Sequence, residues 1–213
     1  MSVSVDVFWS FRSPYSYFVT PDLIRLRQDF DVDLHLRPVL PIAVRAKETL
    51  FSADQRRVQY IIRDASRRAE FLGMKYGFPS PDPIVQDLKT FEVAESQPYI
   101  FRLTGLGVEA ARRGRGVEFA YQISHLIWGG EPGWDKGDKL DKATAAAGLD
   151  LAELDAAILA EDPLPKIEAN HAALEAAGHW GVPTMVLGDE PFFGQDRVDT
   201  LRWRLEKLGL ARS

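Results

Sequence analysis

The chain has 213 residues, 46% hydrophobic and 27% charged, which is ordinary usage for a folded globular protein and excludes disordered and low-complexity readings. Its formal net charge is -5, with Lys and Arg interspersed among Asp and Glu, so it lacks the concentrated basic face that nucleic acid or an anionic membrane requires. It contains no cysteine, which removes any thiol, disulfide or Cys–metal chemistry of its own.

At this length a single compact unit, or a fold with one sizeable insertion, is expected, since domains commonly run to roughly 100–200 residues. The N-terminal Met-Ser-Val-Ser-Val-Asp has neither a basic stretch nor a continuous apolar one, so no secretory signal is expected. No segment has the apolar length of a membrane span, and a cytoplasmic location is expected.

Residues 2–8 alternate, with Val3, Val5 and Val7 on one face and Ser4 and Asp6 on the other, the period of a half-buried strand that Phe8 and Trp9 extend. Ser13-Pro14-Tyr15-Ser16-Tyr17-Phe18 then reads as a helix start. Ser13 can cap, and Pro14 suits the first helical position, where its missing N–H is not needed. Pro21 predicts a kink or interruption in a helix running to about Phe30. Val32, Leu34 and Leu36 alternate with Asp33, His35 and Arg37 as a second strand, completing a βαβ unit.

From about residue 53 to 178 the periodicity is helical only. Val58, Ile61, Ile62, Ala65, Ala69 and Leu72 form one stripe, and Val117, Ala120, Tyr121, Ser124, Ile127 and Trp128 another. Arg112-Arg113-Gly114-Arg115 reads as a helix C-terminus, where cations complement exposed carbonyls. Further helices are predicted at 139–148, 151–160 and 165–178, separated by Gly148-Leu149-Asp150 and Asp162-Pro163. Thr184 to Leu187 then reads as a strand, Gly188-Asp189 as a turn and Pro191 to Phe193 as a short strand. A last helix carries Val198, Leu201, Leu205 and Leu208 at intervals of three and four.

Three segments could carry chemistry. At Ser13-Pro14-Tyr15-Ser16, free N–H groups and the helix dipole would stabilise a thiolate, which a ligand would have to bring; Ser13 also reads as a plain cap. In Gly181-Val182-Pro183-Thr184, a cis bond would expose the Val182 backbone to an extended peptide, while a trans one would simply begin an edge strand. In Phe193-Gly194-Gln195-Asp196-Arg197, backbone N–H groups could receive a carboxylate and Asp196 an ammonium, or Asp196 could cap the helix. His35, His125, His171 and His179 have no metal-like spacing, so no metal is expected. Asp64, with Tyr60 and Arg68 four residues either side, reads as a maker of surface pairs. Phe8, Trp9, Tyr15, Tyr17 and Trp128 read as core by default, or as the lining of a pocket for a flat substrate.

Taken together, Ser-Pro-Tyr-Ser at 13–16, Arg37-Pro38-Val39-Leu40, Gly-Val-Pro-Thr at 181–184 and Phe-Phe-Gly-Gln-Asp-Arg at 192–197 resemble the 2-hydroxychromene-2-carboxylate isomerase family, relatives of kappa-class glutathione transferases and of the DsbA group. The resemblance implies an α/β thioredoxin-like fold with a large all-helical, DsbA-type insertion. Residues 1–45 and 179–213 would form the thioredoxin-like part and 46–178 the insertion. It also implies glutathione as cofactor, a small-molecule substrate from aromatic catabolism, and a homodimer.

Carried over by position, the resemblance makes Ser13 the group that hydrogen-bonds the glutathione sulfur. Val182, before a cis Pro183, would pair with the cysteinyl part, Gln195 and Asp196 would receive the γ-glutamyl end, and Arg57 would be a basic residue directed at glutathione. Arg45, Lys47 and Arg56 are substitutes for that last role or else solvated surface charges. The implied activity is a glutathione-dependent cis-trans isomerase acting on an aromatic or unsaturated hydroxy-carboxylate: a thiolate adds reversibly to a conjugated carbon, the former double bond rotates, and elimination gives the isomer. Alternatives are a kappa-like glutathione transferase or peroxidase and a non-catalytic glutathione- or peptide-binding protein. The missing cysteines argue against a DsbA-type disulfide oxidoreductase.

Overall fold

The structure is a computed structural model that describes residues 3–45, 56–87, 90 and 92–212, without the side chain of Arg57. Strand β1 (Val3–Trp9) leads through helix α1 (Pro14–Asp29) to β2 (Val32–Pro38). A short α2 (Ile42–Arg45) is followed by α3 (Arg56–Leu72), α4 (Ile100–Arg112), α5 (Gly116–Trp128), α6 (Lys139–Ala146), α7 (Leu151–Ala160) and α8 (Leu164–Ala176). The chain then returns to β3 (Thr184–Leu187) and β4 (Glu190–Phe193), a 3-10 turn (Gln195–Arg197) and α9 (Val198–Lys207).

The sheet order is β2-β1-β3-β4. β1 and β2 are parallel, with Val5 opposite Leu34, while β3 runs antiparallel to both β1 and β4. Val5, Val7 and Trp9 point into the main core with Leu23, Leu26, Leu201 and Leu205, and Phe8 packs on the other face with Leu174 and Val186. Both faces of the sheet are therefore covered at the end of β1 where α1 begins. Burying each such large apolar side chain contributes about 1.5–3 kcal/mol. Leu208, grouped with the core by its spacing, lies just past α9 and is exposed, because Gly209 turns the chain there with φ +72°.

Pro21 does not interrupt α1, contrary to the reading from sequence. Proline at that position removes the donor that the Tyr17 carbonyl would have received. The Thr20 hydroxyl replaces it, donating to the Tyr17 carbonyl at 2.8 Å, so no buried acceptor is stranded and the helix continues. Most other predicted elements form within two or three residues of their expected limits, and Arg112 ends α4 with its guanidinium on Glu109.

Helix α8 fixes the chain as it leaves β2. Asn170 donates Nδ2 to the Pro38 carbonyl at 2.9 Å, and the Leu40 N–H donates to Nε2 of His171 at 2.9 Å. An accepting Nε2 requires a neutral ring. Burial, and then the nearby charge of Arg45, hold His171 in that state by pushing its pKa down to about 4. The folded chain thus binds this proton more weakly than the unfolded chain, where the value is 6.5. The stabilisation is complete above the unfolded value and is lost as pH falls towards about 4. Urea midpoints should decline across that window, and His171→Gln, which keeps an acceptor for Leu40 but does not titrate, should flatten the decline. An equally steep decline in the variant would contradict this account.

Candidate functional site

Ser13 has extended backbone angles, φ -110° and ψ 117°, and caps α1. Its Oγ accepts from the Ser16 N–H at 3.2 Å, and its carbonyl accepts from Tyr17 at 3.1 Å. Pro14 has no N–H to offer. Among the described residues, the Tyr15 N–H is therefore the donor of the first turn left without a protein partner. The Ser13 hydroxyl itself donates to the Val182 carbonyl at 3.5 Å, a long and weak bond. A hydroxyl and a free N–H at the positive end of a helix form an environment that favours an anion.

The Val182–Pro183 peptide is cis, which answers a question the sequence left open, and so is Ser80–Pro81. The Pro183 carbonyl accepts from the Gly194 N–H at 2.9 Å, tying this segment to the 3-10 turn that carries Gln195 and Asp196. Gly194 has φ +104°, and a Cβ there would lie 2.6 Å from the Asp196 carboxylate, so glycine is what lets Asp196 fold back over the turn. A Cβ on Gly181 would sit 2.4 Å from the Phe193 ring, which stacks with His179 at a centroid distance of 3.9 Å. Asp196 is half exposed, 3.3 Å from Arg197. The structure thus brings Ser13, Val182, Pro183, Gln195 and Asp196 into one region, because α1 packs against the 3-10 turn.

Helix α3 completes that region in a way the sequence reading missed. Asp64 is not confined to surface pairs: it accepts from the Tyr15 hydroxyl at 2.7 Å and from Nη2 of Arg67 at 2.6 Å, with Tyr60 at 3.4 Å. Burial alone would raise the Asp64 carboxyl, but the hydrogen bonds from Tyr15 and Arg67 outweigh it and hold the pKa below 3.8. Burial, joined by the bond to Asp64, raises the Tyr15 phenol, which stays protonated. Arg68, expected on Asp64, instead donates Nε to Gln195 Oε1 at 2.9 Å. Sequence spacing could not separate Arg67 from Arg68, since positions three and four residues on both face Asp64.

Further contacts brace the same helix end. Arg12, next to Ser13, makes a two-pronged ion pair with Asp82, one prong at 2.8 Å, and lies over the Phe78 ring at 4.9 Å. The Tyr17 hydroxyl donates to the Lys75 carbonyl at 2.6 Å, its pKa pushed up to about 12 by burial and by Tyr121. Phe8, Trp9, Tyr17 and Trp128 are core, so of the aromatics considered for a substrate pocket only Tyr15 remains partly open. Arg45 is not a solvated charge, because it donates Nε to the Leu40 carbonyl at 3.0 Å and also bonds the Trp180 carbonyl. The Arg57 side chain and Lys47 lie outside the described residues, and Arg56 is exposed.

A cavity of about 1170 Å³ lies elsewhere. It runs along the outer edge of β2 between α4, α7 and α8, and none of Ser13, Val182, Pro183, Gln195 and Asp196 lines it. Its lining mixes both charge signs with prolines and alanines. The region around Ser13 is the better chemical candidate, because there a hydroxyl, a free helix N–H and the partly buried Val182 next to Pro183 converge. Among the described residues no group of three or more metal-ligating side chains forms, and no helix is long and apolar enough to cross a membrane.

A sheet covered by helices on both faces, with a strand-to-helix cap facing a cis-proline, defines the thioredoxin class. The chain belongs to the DsbA-like thioredoxin domain family, whose model matches residues 4–206. It is similar to the 2-hydroxychromene-2-carboxylate isomerase of Pseudomonas putida, 23% identical over 96% of this chain and 95% of that one. It is also similar to the enzyme of the same name from Pseudomonas sp. strain C18, 27% identical over 92% of this chain and 87% of that one. Among solved structures, a 2-hydroxychromene-2-carboxylate isomerase superposes with a TM-score of 0.70 at 20% identity, covering 96% of this chain and 95% of the other.

The Tyr15–Asp64 bond yields a direct test. Tyr15→Phe should destabilise the protein by about 1.5–3 kcal/mol near neutral pH, the range for a hydrogen bond to a charged group. Asp64 has a depressed pKa, so its contribution is present above the ordinary carboxylate value and is lost as pH falls through the folded value. The gap between wild type and variant in urea unfolding should therefore close in acid. A gap that persists in acid, or is absent at neutral pH, would contradict the assignment.

Proposed function

We propose that this chain is a glutathione-dependent cis-trans isomerase of the 2-hydroxychromene-2-carboxylate isomerase type. The observation that carries the reading is the Ser13 hydroxyl, set at the N-cap of α1 and 3.5 Å from the Val182 carbonyl before a cis-proline, in a chain that has no thiol of its own. The two relatives that bear the isomerase name and span nearly the whole chain support it.

The residues present fit glutathione. Ser13 and the free Tyr15 N–H are donors for its sulfur, the Val182 backbone offers an edge for its cysteinyl peptide, and Asp196 and Gln195 offer a carboxylate and an amide for its γ-glutamyl end. When bound, glutathione supplies a thiolate able to add reversibly to a conjugated carbon. Free thiols with pKa values of about 8.5 are mostly protonated at neutral pH, so the task of the protein is to favour the anion. Ser13 would hold the anion by offering its hydroxyl to the sulfur in place of the weak bond to Val182, and the α1 dipole would add to it. Ser13 holds the reacting atom and does not itself attack the substrate.

The reading is tested by supplying 2-hydroxychromene-2-carboxylate with catalytic glutathione. Turnover should require glutathione and leave its free thiol unconsumed, and Ser13→Ala should lower kcat at least about tenfold while costing the fold only about 1 kcal/mol through the lost cap. Loss of free thiol in step with product would identify a transferase instead. Turnover without glutathione, or an unimpaired Ser13→Ala, would overturn the reading.

A further inference from the structure

We infer that Arg68 is a ligand-binding residue of this site, the cation that takes the α-carboxylate of the γ-glutamyl end, with Gln195 as its partner. The inference rests on the proposed glutathione reading and adds Arg68 of α3 to Gln195 and Asp196, the residues that the resemblance assigns to the γ-glutamyl end.

The first support is electrostatic. Arg68 is half-buried, on the inner side of α3 between the buried residues Ala65 and Ala69. Its guanidinium lies over the Phe71 ring at 4.9 Å, and its side-chain hydrogen bond goes to a neutral amide oxygen, Gln195 Oε1, at 2.9 Å. Among the described residues it has no ion-pair partner. The carboxylate one turn back on the same helix, Asp64, is already taken by Arg67 and Tyr15. Arginine is a planar fork with five donors, and the bond to Gln195 uses the Nε–H alone, so that among the described residues the Nη donors remain for a ligand. A partly desolvated guanidinium without a counter-ion attracts an anion more strongly than a fully hydrated one.

The second support is the orientation of Gln195. Because its Oε1 accepts from Arg68, the amide's two N–H donors, on Nε2, remain for a ligand near the guanidinium. One residue on, Asp196 carries a half-exposed carboxylate. Guanidinium and amide donors next to a carboxylate match the head group of an α-amino acid, a carboxylate beside an ammonium. The γ-glutamyl residue of glutathione ends in that head group. Its position also fits, since Gly194 joins this turn to the Pro183 carbonyl, and Asp64, one helical turn before Arg68, holds Tyr15 at the Ser13 end. A single face of α3 therefore reaches both ends of the proposed site.

The test is a cycle of isothermal titrations on the full chain, using wild type and Arg68→Ala against two ligands. One is glutathione, and the other is γ-aminobutyryl-cysteinylglycine, which is glutathione lacking only its α-carboxylate. Wild type should prefer glutathione by about tenfold or more, the worth of one charge-assisted hydrogen bond. Arg68→Ala should bind the two ligands equally, with glutathione weakened by the same factor and the analogue little changed. Arg68→Lys, which keeps the charge and loses the fork, should retain part of the preference, and it replaces the alanine variant should that protein fail to fold. A variant that weakens both ligands alike, or keeps the full preference for glutathione, would overturn the role of Arg68 while leaving the glutathione reading intact. Absence of glutathione binding by wild type would overturn both.

Discussion

Capping of α1 by Ser13 is the constraint around which the site is organised. The first turn of a helix has N–H groups that its own ladder cannot hold, and Pro14 leaves one fewer of them to satisfy while its ring fixes the helical entry. Ser13 adds two bonds, side chain to Ser16 and carbonyl to Tyr17, and these place its hydroxyl between the helix dipole and the Val182 carbonyl. The same geometry that terminates β1 and starts α1 therefore creates an anion-favouring corner.

Rigid placement of that corner comes from elements distant in sequence. Arg12 is locked to Asp82, Tyr15 to Asp64 and Tyr17 to Lys75, so three positions at or beside the helix start are tied to α3 and to the non-helical stretch that follows it. On the opposite side, Gly194 ties the cis-proline segment to the turn bearing Gln195 and Asp196, and Arg68 links that turn back to α3. Preorganisation of this kind matters because a donor contributes fully to stabilising charge only when it need not be ordered at the moment of use.

Features governed by local chemistry were legible in the amino-acid sequence. Alternation of Val3, Val5 and Val7, the Ser13-Pro14 pair and the Gly188-Asp189 turn each have one dominant backbone solution, and all formed as read. Choices made by tertiary packing were not legible. Pro21 signals a break, but Thr20 supplies the missing donor by a rotamer no pattern encodes. Asp64 has two arginines within reach on its own helix, and only the approach of Tyr15 and of Gln195 decides which serves which. Arg12 and Asp82 lie 70 positions apart, with nothing local to announce their pairing, and Arg45 looked like surface charge until the loops it joins were folded together.

The central claim is that Ser13 and the start of α1 hold a borrowed sulfur as its anion. It is tested most directly by following the ultraviolet absorbance of the thiolate as the pH of the protein–glutathione complex is raised. The account predicts a bound thiol that ionises well below the free value of about 8.5, and a shift back towards that value in Ser13→Ala. A bound thiol that titrates like the free one in wild type, or an equally lowered value in both proteins, would contradict it.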